Sequence, residues 1–172
     1  MKNAGILQIV SFFIYVLVQA LLLKNLVLFN TGFCFLYVAF ILLLPIETSI
    51  LVLMSMGFVM GFVIDIFYNS LGLHALAMVF VAYIRNYWLG AITPQGGYDA
   101  GAVPDLKSNG IQWFLVYLMP LVFIHHLTLF LVEATGTLFW YSMLKTISSL
   151  LFTVTIIVLL QYLVSQRSRS RI

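Results

Sequence analysis

Two apolar, helix-length stretches in the middle of the chain contain ionisable side chains. Asp65 lies near the end of the first stretch, and His74 and Arg85 lie in the second. An ionised acid at the centre of a bilayer costs roughly 2.5 to 3.5 kcal/mol on insertion scales, so it must face protein and have a partner. Arg85 lies about 16 Å from His74 along a helix, which makes His74 the nearer candidate. We predict an intramembrane polar clasp between Asp65 and His74, with a simple polar cap and a proton relay as alternatives.

Small residues accompany these polar groups at helical spacing. Gly57, Gly61 and Asp65 are four residues apart and share one helix face, where glycines let another backbone come close. The short connection that follows predicts an antiparallel hairpin with the next helix. The small residues at these positions are Gly57, Gly61, Gly72, Ala75 and Ala82, which we call the small-residue face. We predict that this face packs tightly, either inside the bundle or against a partner helix.

The remaining polar side chains predict no catalytic, cofactor or metal site. His125 and His126 are adjacent and point about 100° apart on a helix, so they do not bind one metal ion together. His126 and Glu133 lie two helical turns apart on one face and predict a secondary polar seam. There is no nucleotide loop, no nucleophile with a base, no acid cluster for Mg²⁺ and no second cysteine beside Cys34. We therefore predict a protein that is not an enzyme.

Composition predicts the elements that position these residues. Apolar and aromatic residues make up 63% of the 172 residues and charged residues only 8%, which is typical of an integral membrane protein. A spanning helix needs about 20 apolar residues, so the chain has room for roughly six. We predict an all-α polytopic bundle in a single membrane domain, residues 1–172, with spans at about 6–23, 31–46, 49–67, 71–90, 111–133 and 138–163.

The second of these spans is the weakest. Its unbroken apolar run, residues 33–44, is short for a full crossing. The helix must take in polar residues, tilt or be partly sunken to make up the length. A bundle of five spans, without this one, therefore remains an alternative prediction.

Basic residues predict the orientation of the bundle. With six spans, Lys24 and Lys145 fall on one side, and the other side receives Lys2, Arg85, Lys107, Arg167, Arg169 and Arg171. The side with more lysine and arginine is the cytoplasmic side. We predict that both termini, the loop 91–110 and the basic tail 165–172 are cytoplasmic, and that the tail contacts anionic membrane lipids rather than nucleic acid.

Residues 57–85 resemble the central signature of the rod shape-determining protein MreD family. That signature combines spaced glycines, an acid, a Leu-Gly-x-His/Asn-Ala motif and an Ala-Tyr pair. The matching positions are Gly57, Gly61, Asp65, residues 71–76 and residues 81–83. Chain length and hydropathy also match over the whole sequence. The Pro45-Ile-Glu47-Thr48 segment, the Gly97-Tyr98 loop, Trp113-Phe114 and the His125-His126 pair look more like the branch of the family found in Bacteroidota.

The resemblance implies a function and a set of partners. It implies a non-enzymatic component of the bacterial inner membrane that acts in the cell-elongation machinery for peptidoglycan. Its expected partners are the single-span periplasmic scaffold MreC, the glycan polymerase and transpeptidase of the complex, and MreB filaments, reached directly or indirectly. The family is similar in fold to the six-helix substrate-binding subunits of energy-coupling-factor transporters. The alternative expectation is therefore a vitamin-binding subunit of such a transporter.

Overall fold

The computed structural model describes residues 2–135 and 138–169 and is mostly helical. The helices are α1 (Lys2–Leu17), which continues as a π-helical segment (Val18–Leu23), α2 (Val38–Leu42), α3 (Ile50–Tyr68), α4 (Leu73–Ala91), α5 (Leu106–Glu133) and α6 (Phe139–Arg169). Two short strands, β1 (Val27–Leu28) and β2 (Gly32–Phe33), pair antiparallel between the π-helical segment and α2.

Among the described residues, four helical stretches are long and apolar enough to span a membrane, which confirms the prediction of a helical membrane protein. They are Gly5–Leu23, Ile50–Tyr68, Leu106–Glu133 and Phe139–Val164. Helix α4 does not belong to this group because His74, Arg85 and Asn86 lower its hydropathy. It nevertheless lies inside the bundle, packed between α3 and α5.

The long helices pack as neighbours in chain order, α3 with α4, α4 with α5, and α5 with α6. Residues 69–72 connect α3 to α4 at one end of the bundle, which we call the turn end, and residues 92–105 connect α4 to α5 at the opposite end, the loop end. Helix α1 is peripheral, since only 11% of its apolar stretch is buried against 44% for α5.

Residues 31–48, which we call the central segment, run through the middle of the bundle. Near the turn end, Tyr37 contacts His74 of α4 and His125 of α5. Towards the loop end, the Leu44 carbonyl accepts from Arg85, further along α4. Residues 34–42 are buried without exception. The segment thus lies parallel to α4 and is enclosed by protein.

The predicted helical span 31–46 is wrong, because only Val38–Leu42 of this range is α-helical. An apolar run that is enclosed on every side has no hydrophobic periodicity to distinguish a helix from an extended chain. The central segment instead receives many of its backbone hydrogen bonds from side chains of the surrounding helices. Irregular backbone is tolerated at membrane depth where protein surrounds it and satisfies its polar groups.

The loop between α4 and α5 is shorter than predicted and is bonded to the bundle. Helix α5 begins at Leu106, where the Asp105 side chain accepts a hydrogen bond from the Ser108 amide at 2.7 Å, and it is kinked at Gly110. The Ile46 amide donates to the Ala102 carbonyl at 2.9 Å, which joins the loop to the central segment. The C-terminal part of the chain differs from the predicted tail 165–172. The α6 backbone is helical to Arg169, so most of this range continues the helix, and residues 170–172 lie outside the described residues.

Candidate functional site

The residues of the central signature meet in the hairpin formed by α3 and α4. A Cβ atom added at Gly61 would lie 2.6 Å from the Ala75 nitrogen and 2.6 Å from the His74 carbonyl oxygen, and it would also overlap the Ala75 Cα. A Cβ atom at Gly57 would lie 3.2 Å from the Met78 carbonyl oxygen. Only glycine lets the two backbones approach this closely. The small-residue face is therefore used inside the chain, between α3 and α4.

Of the other small residues, Ala75 and Ala82 take part in this contact and Gly72 does not. Ala75 and Ala82 are buried, and the Ala82 Cβ is 3.5 Å from the position of a Gly57 Cβ. Apart from its chain neighbours, no described residue has an atom within 4 Å of a Cβ added at Gly72, which has φ of +84° immediately before α4. It allows the left-handed turn into α4, a conformation that favours glycine. Gly72 therefore belongs to the turn before α4 and not to the predicted packing face.

Asp65 holds the first turn of α4 through both of its carboxylate oxygens. Its Oδ1 accepts from the His74 amide at 3.0 Å and from the Ser70 hydroxyl at 2.5 Å, and its Oδ2 accepts from the Ala75 amide at 2.9 Å. Amides in the first turn of a helix have no partner within the helix, and the positive end of the helix dipole favours an anion there. Asp65 and His74 are joined as a clasp, but through the backbone of His74 rather than its imidazole.

The His74 imidazole belongs to a second polar cluster, which the spacing of its residues along the sequence does not predict. The Tyr37 hydroxyl lies 2.7 Å from His74 Nδ1 and 2.9 Å from His125 Nε2. All three side chains are buried. A hydroxyl in an enclosed apolar run needs a hydrogen-bond partner, and that is the signal in the sequence that could have marked Tyr37.

Gln19 connects the π-helical segment to the central segment. Its Nε2 donates to the Cys34 carbonyl at 2.9 Å and to the Tyr68 hydroxyl at 2.8 Å, while its Oε1 accepts from the Tyr37 amide at 3.4 Å. Gln19 is fully buried. One side chain thereby satisfies two backbone groups of the central segment.

Hydroxyl groups of α6 satisfy the beginning of the central segment. The Phe33 amide donates to Ser149 Oγ at 2.9 Å, and the Phe35 amide donates to Thr153 Oγ1 at 3.1 Å. Both hydroxyl-bearing residues are fully buried. These contacts join parts of the chain more than a hundred residues apart, with sequence separations of 116 and 118.

Arg85 closes the other end of the central segment. Its Nη2 donates to the Leu44 carbonyl and, at 3.4 Å, to the Pro45 carbonyl, and its Nε donates to the Tyr117 hydroxyl at 2.9 Å. The Tyr117 hydroxyl in turn donates to the Leu42 carbonyl at 2.7 Å. Arg85 is fully buried, and its guanidinium donates to the carbonyls of Leu44 and Pro45, which follow the C-terminal end of α2. It therefore acts as a cap for α2.

His126 and Glu133 are not joined in a polar seam. His126 Nδ1 donates to the Val122 carbonyl at 2.7 Å, and His126 Nε2 lies 3.1 Å from Thr153 Oγ1. Glu133 forms an ion pair with Lys145 at 3.2 Å, and its side chain is half-exposed at the turn end. The two residues share a helix face but serve separate contacts with α6.

Comparison of the chain with protein-family models, with curated proteins and with solved structures finds no match. Any functional conclusion therefore rests on the residues and their geometry. Within the described residues, no group of three or more His, Cys, Asp or Glu side chains is placed to hold a metal ion. Most of the polar groups described above bond to the backbone of other elements, and the exceptions are the Tyr37, His74 and His125 cluster and the Glu133–Lys145 ion pair.

Proposed function

We propose that this protein is a non-enzymatic inner-membrane component of the cell-elongation machinery that organises peptidoglycan synthesis. The observation that carries the proposal is the α3–α4 hairpin. The residues that resemble the MreD signature build a single element, in which Gly61 permits backbone contact and Asp65 fixes the start of α4. Asp65 and Arg85 are both engaged in capping backbone groups, a use that suits a scaffold.

The proposed partner is a single-span periplasmic scaffold like MreC, and through it the glycan polymerase, the transpeptidase and MreB filaments. The face of Gly57 and Gly61 is closed by α4. The membrane helix of the partner must therefore use another face of the bundle. In this proposal the hairpin contributes to binding indirectly, by keeping the outer surface of α3 and α4 in one shape.

The proposal includes a topology in which α1, the central segment and α3 to α6 each cross the membrane and both termini are cytoplasmic. The distribution of basic residues supports it, because Lys24 and Lys145 lie towards the turn end, whereas the loop end carries Lys2, Arg85, Lys107, Arg167 and Arg169. The turn end is then periplasmic. Lys24 and Lys145 are also engaged locally, by the Phe67 carbonyl and by Glu133.

The packing of the bundle interior favours this function over a vitamin-binding subunit. Tyr37, Ile41 and Leu42 of the central segment are fully buried and fill the middle of the bundle, where a small molecule would need space. A thermal-stability screen against vitamins tests the point. We expect no saturable stabilisation; a saturable shift with any vitamin would count against a purely scaffolding role.

Complementation of cell shape tests the proposed function in cells. In a rod-shaped host depleted of its own copy, the wild-type chain restores rods, whereas Gly61→Leu leaves rounded cells because the hairpin cannot close. The matched control is Gly90→Leu, since Gly90 is an exposed α4 glycine whose added Cβ would meet no described atom within 4 Å outside its own helical turn. Normal rods with Gly61→Leu at wild-type abundance would remove the hairpin from the proposal. Failure of the wild-type chain to restore rods would oppose the function itself.

A further inference from the structure

The cluster formed by Tyr37, His74 and His125 contains a hydroxyl with one proton between two imidazole nitrogens. Tyr37 Oη lies 2.7 Å from His74 Nδ1 and 2.9 Å from His125 Nε2. The hydroxyl donates to one imidazole only, so the other imidazole must donate to the hydroxyl oxygen. The protonated nitrogens of the two histidines are therefore coupled through Tyr37.

The second nitrogen of His125 decides which arrangement the neutral cluster adopts. His125 is fully buried, and its Nδ1 has no hydrogen-bond partner among the described residues. If Tyr37 donated to His125, the partnerless Nδ1 would carry a proton, and a buried N–H without a partner is rarer in proteins than an unpaired acceptor. In the neutral cluster Tyr37 therefore donates to His74, and His125 donates from Nε2 to Tyr37.

We propose that His74, Tyr37 and His125 form a site for a single proton, and that its occupation loosens the central segment. A proton that binds His74 Nδ1 makes that nitrogen a donor to Tyr37. In the same transfer one proton binds His125 Nδ1, the His125 Nε2 proton passes to Tyr37 Oη, and the proton that Tyr37 held passes to His74 Nδ1. The Tyr37 hydroxyl then donates to His125 Nε2. The cluster gains one proton and one positive charge in all.

The protonated arrangement opposes the closed packing of the central segment in two ways. It leaves a buried His125 N–H without a partner, and it places a cation among apolar rings such as Phe35. The titratable groups that face the cluster are Asp65 and Tyr68 from α3, and His126 from α5, while Gln19 and Thr153 contribute neutral groups from the π-helical segment and α6. The Asp65 carboxylate accepts from the His74 amide at 3.0 Å, and a carboxylate this close to His74 favours His74 as the residue that carries the positive charge.

Nitrogen-15 spectra of the histidines in lipid bilayers test this proposal, independently of the cellular function. The chain has only three histidines, and His126 is an internal reference because its Nδ1 donates to the Val122 carbonyl. At mildly basic pH we expect His74 and His125 to carry their proton on Nε2. On acidification, His74 becomes charged and His125 changes to the Nδ1 form in the same transition.

A Tyr37→Phe variant separates coupling from ordinary titration. It keeps both imidazoles and removes the shared hydroxyl, so His125 no longer changes its protonated nitrogen when His74 becomes charged. The control is Tyr162→Phe, at an exposed position of α6. Wild-type spectra with the His125 proton on Nδ1 at mildly basic pH, or with the two histidines titrating separately, would overturn the proposal. The wild-type spectra decide this even if Tyr37→Phe does not fold.

Discussion

Individual buried polar residues in this protein serve the backbone of other elements. Asp65 accepts from amides of α4, Gln19 bonds Cys34 and the Tyr37 amide, and Arg85 donates to carbonyls beyond α2. A buried donor or acceptor that loses its partner costs about 1 to 3 kcal/mol, more than the bond itself contributes. These residues are thus the positions at which a single change is expected to have a large effect.

Asp65→Asn separates the charge of this side chain from its shape. The substitution replaces one carboxylate oxygen by an NH₂ group. This group faces the backbone N–H of His74 or Ala75, so two donors oppose each other and one hydrogen bond is lost. We expect the free energy of unfolding to fall by about 1 to 3 kcal/mol, measured by denaturant titration in mixed micelles. The control is Asp99→Asn in the exposed loop. Equal stability of the Asp65→Asn variant and the wild type would show that ionisation is unnecessary here.

Arg85→Lys tests whether the guanidinium fork caps α2. A lysine ammonium cannot reach the Leu44 carbonyl and the Tyr117 hydroxyl with the same planar geometry. We expect a loss of about 1.5 to 3 kcal/mol, the range for hydrogen bonds to charged groups. In a double-mutant cycle, Tyr117→Phe and Arg85→Lys should be non-additive. Additive losses would mean that the two side chains do not act as one cap.

At the scale of elements, the α3–α4 hairpin could be predicted from the sequence and the central segment could not. Glycine spacing, Asp65 and a short turn all lie within thirty residues, so local pattern is sufficient to place them. The central segment depends on side chains such as Ser149 and Thr153, far away in sequence. A single sequence does not show which residues of two such distant segments lie opposite each other. An enclosed extended chain and a membrane helix have the same apolar composition, so the apolar run predicts a helix where the structure has an irregular segment.

Gln19→Leu tests the support of the central segment. The substitution introduces an apolar side chain of similar size and removes the partners of the Cys34 carbonyl and the Tyr37 amide. We expect faster hydrogen exchange at residues 34–37 and a loss of about 1 to 3 kcal/mol for each orphaned group. Gln112→Leu, at an exposed position of α5, is the control. Unchanged exchange in the Gln19 variant would mean that other contacts hold the segment.

Gly61→Ala tests the hairpin with the smallest possible change. Its new Cβ overlaps the Ala75 backbone, so the helices must separate. We expect a loss of about 1 to 3 kcal/mol, as for overpacked cores. Gly90→Ala should instead be neutral or stabilise by about 0.5 to 1 kcal/mol, because alanine favours a helix interior. Similar stabilities for the two variants would contradict the close contact.

At the scale of the whole molecule, the helices enclose residues 34–42 of the central segment. The only cysteine, Cys34, lies in the central segment and is 1% exposed. It is a natural reporter of opening, since a membrane-permeable thiol reagent reaches it only when the surrounding helices move apart. We expect slow labelling of the wild type and faster labelling of Gln19→Leu. Rapid labelling of the folded wild type would contradict an enclosed central segment.

Affinity purification tests most directly whether this protein is a scaffold of the elongation machinery. A tagged chain is purified from native membranes in mild detergent, and the proteins that accompany it are identified by mass spectrometry against an untagged control. We expect enrichment of a single-span periplasmic coiled-coil protein together with cell-wall synthases. Enrichment of paired ATPases with a membrane coupling subunit, in place of those proteins, would contradict the scaffold and favour the transporter.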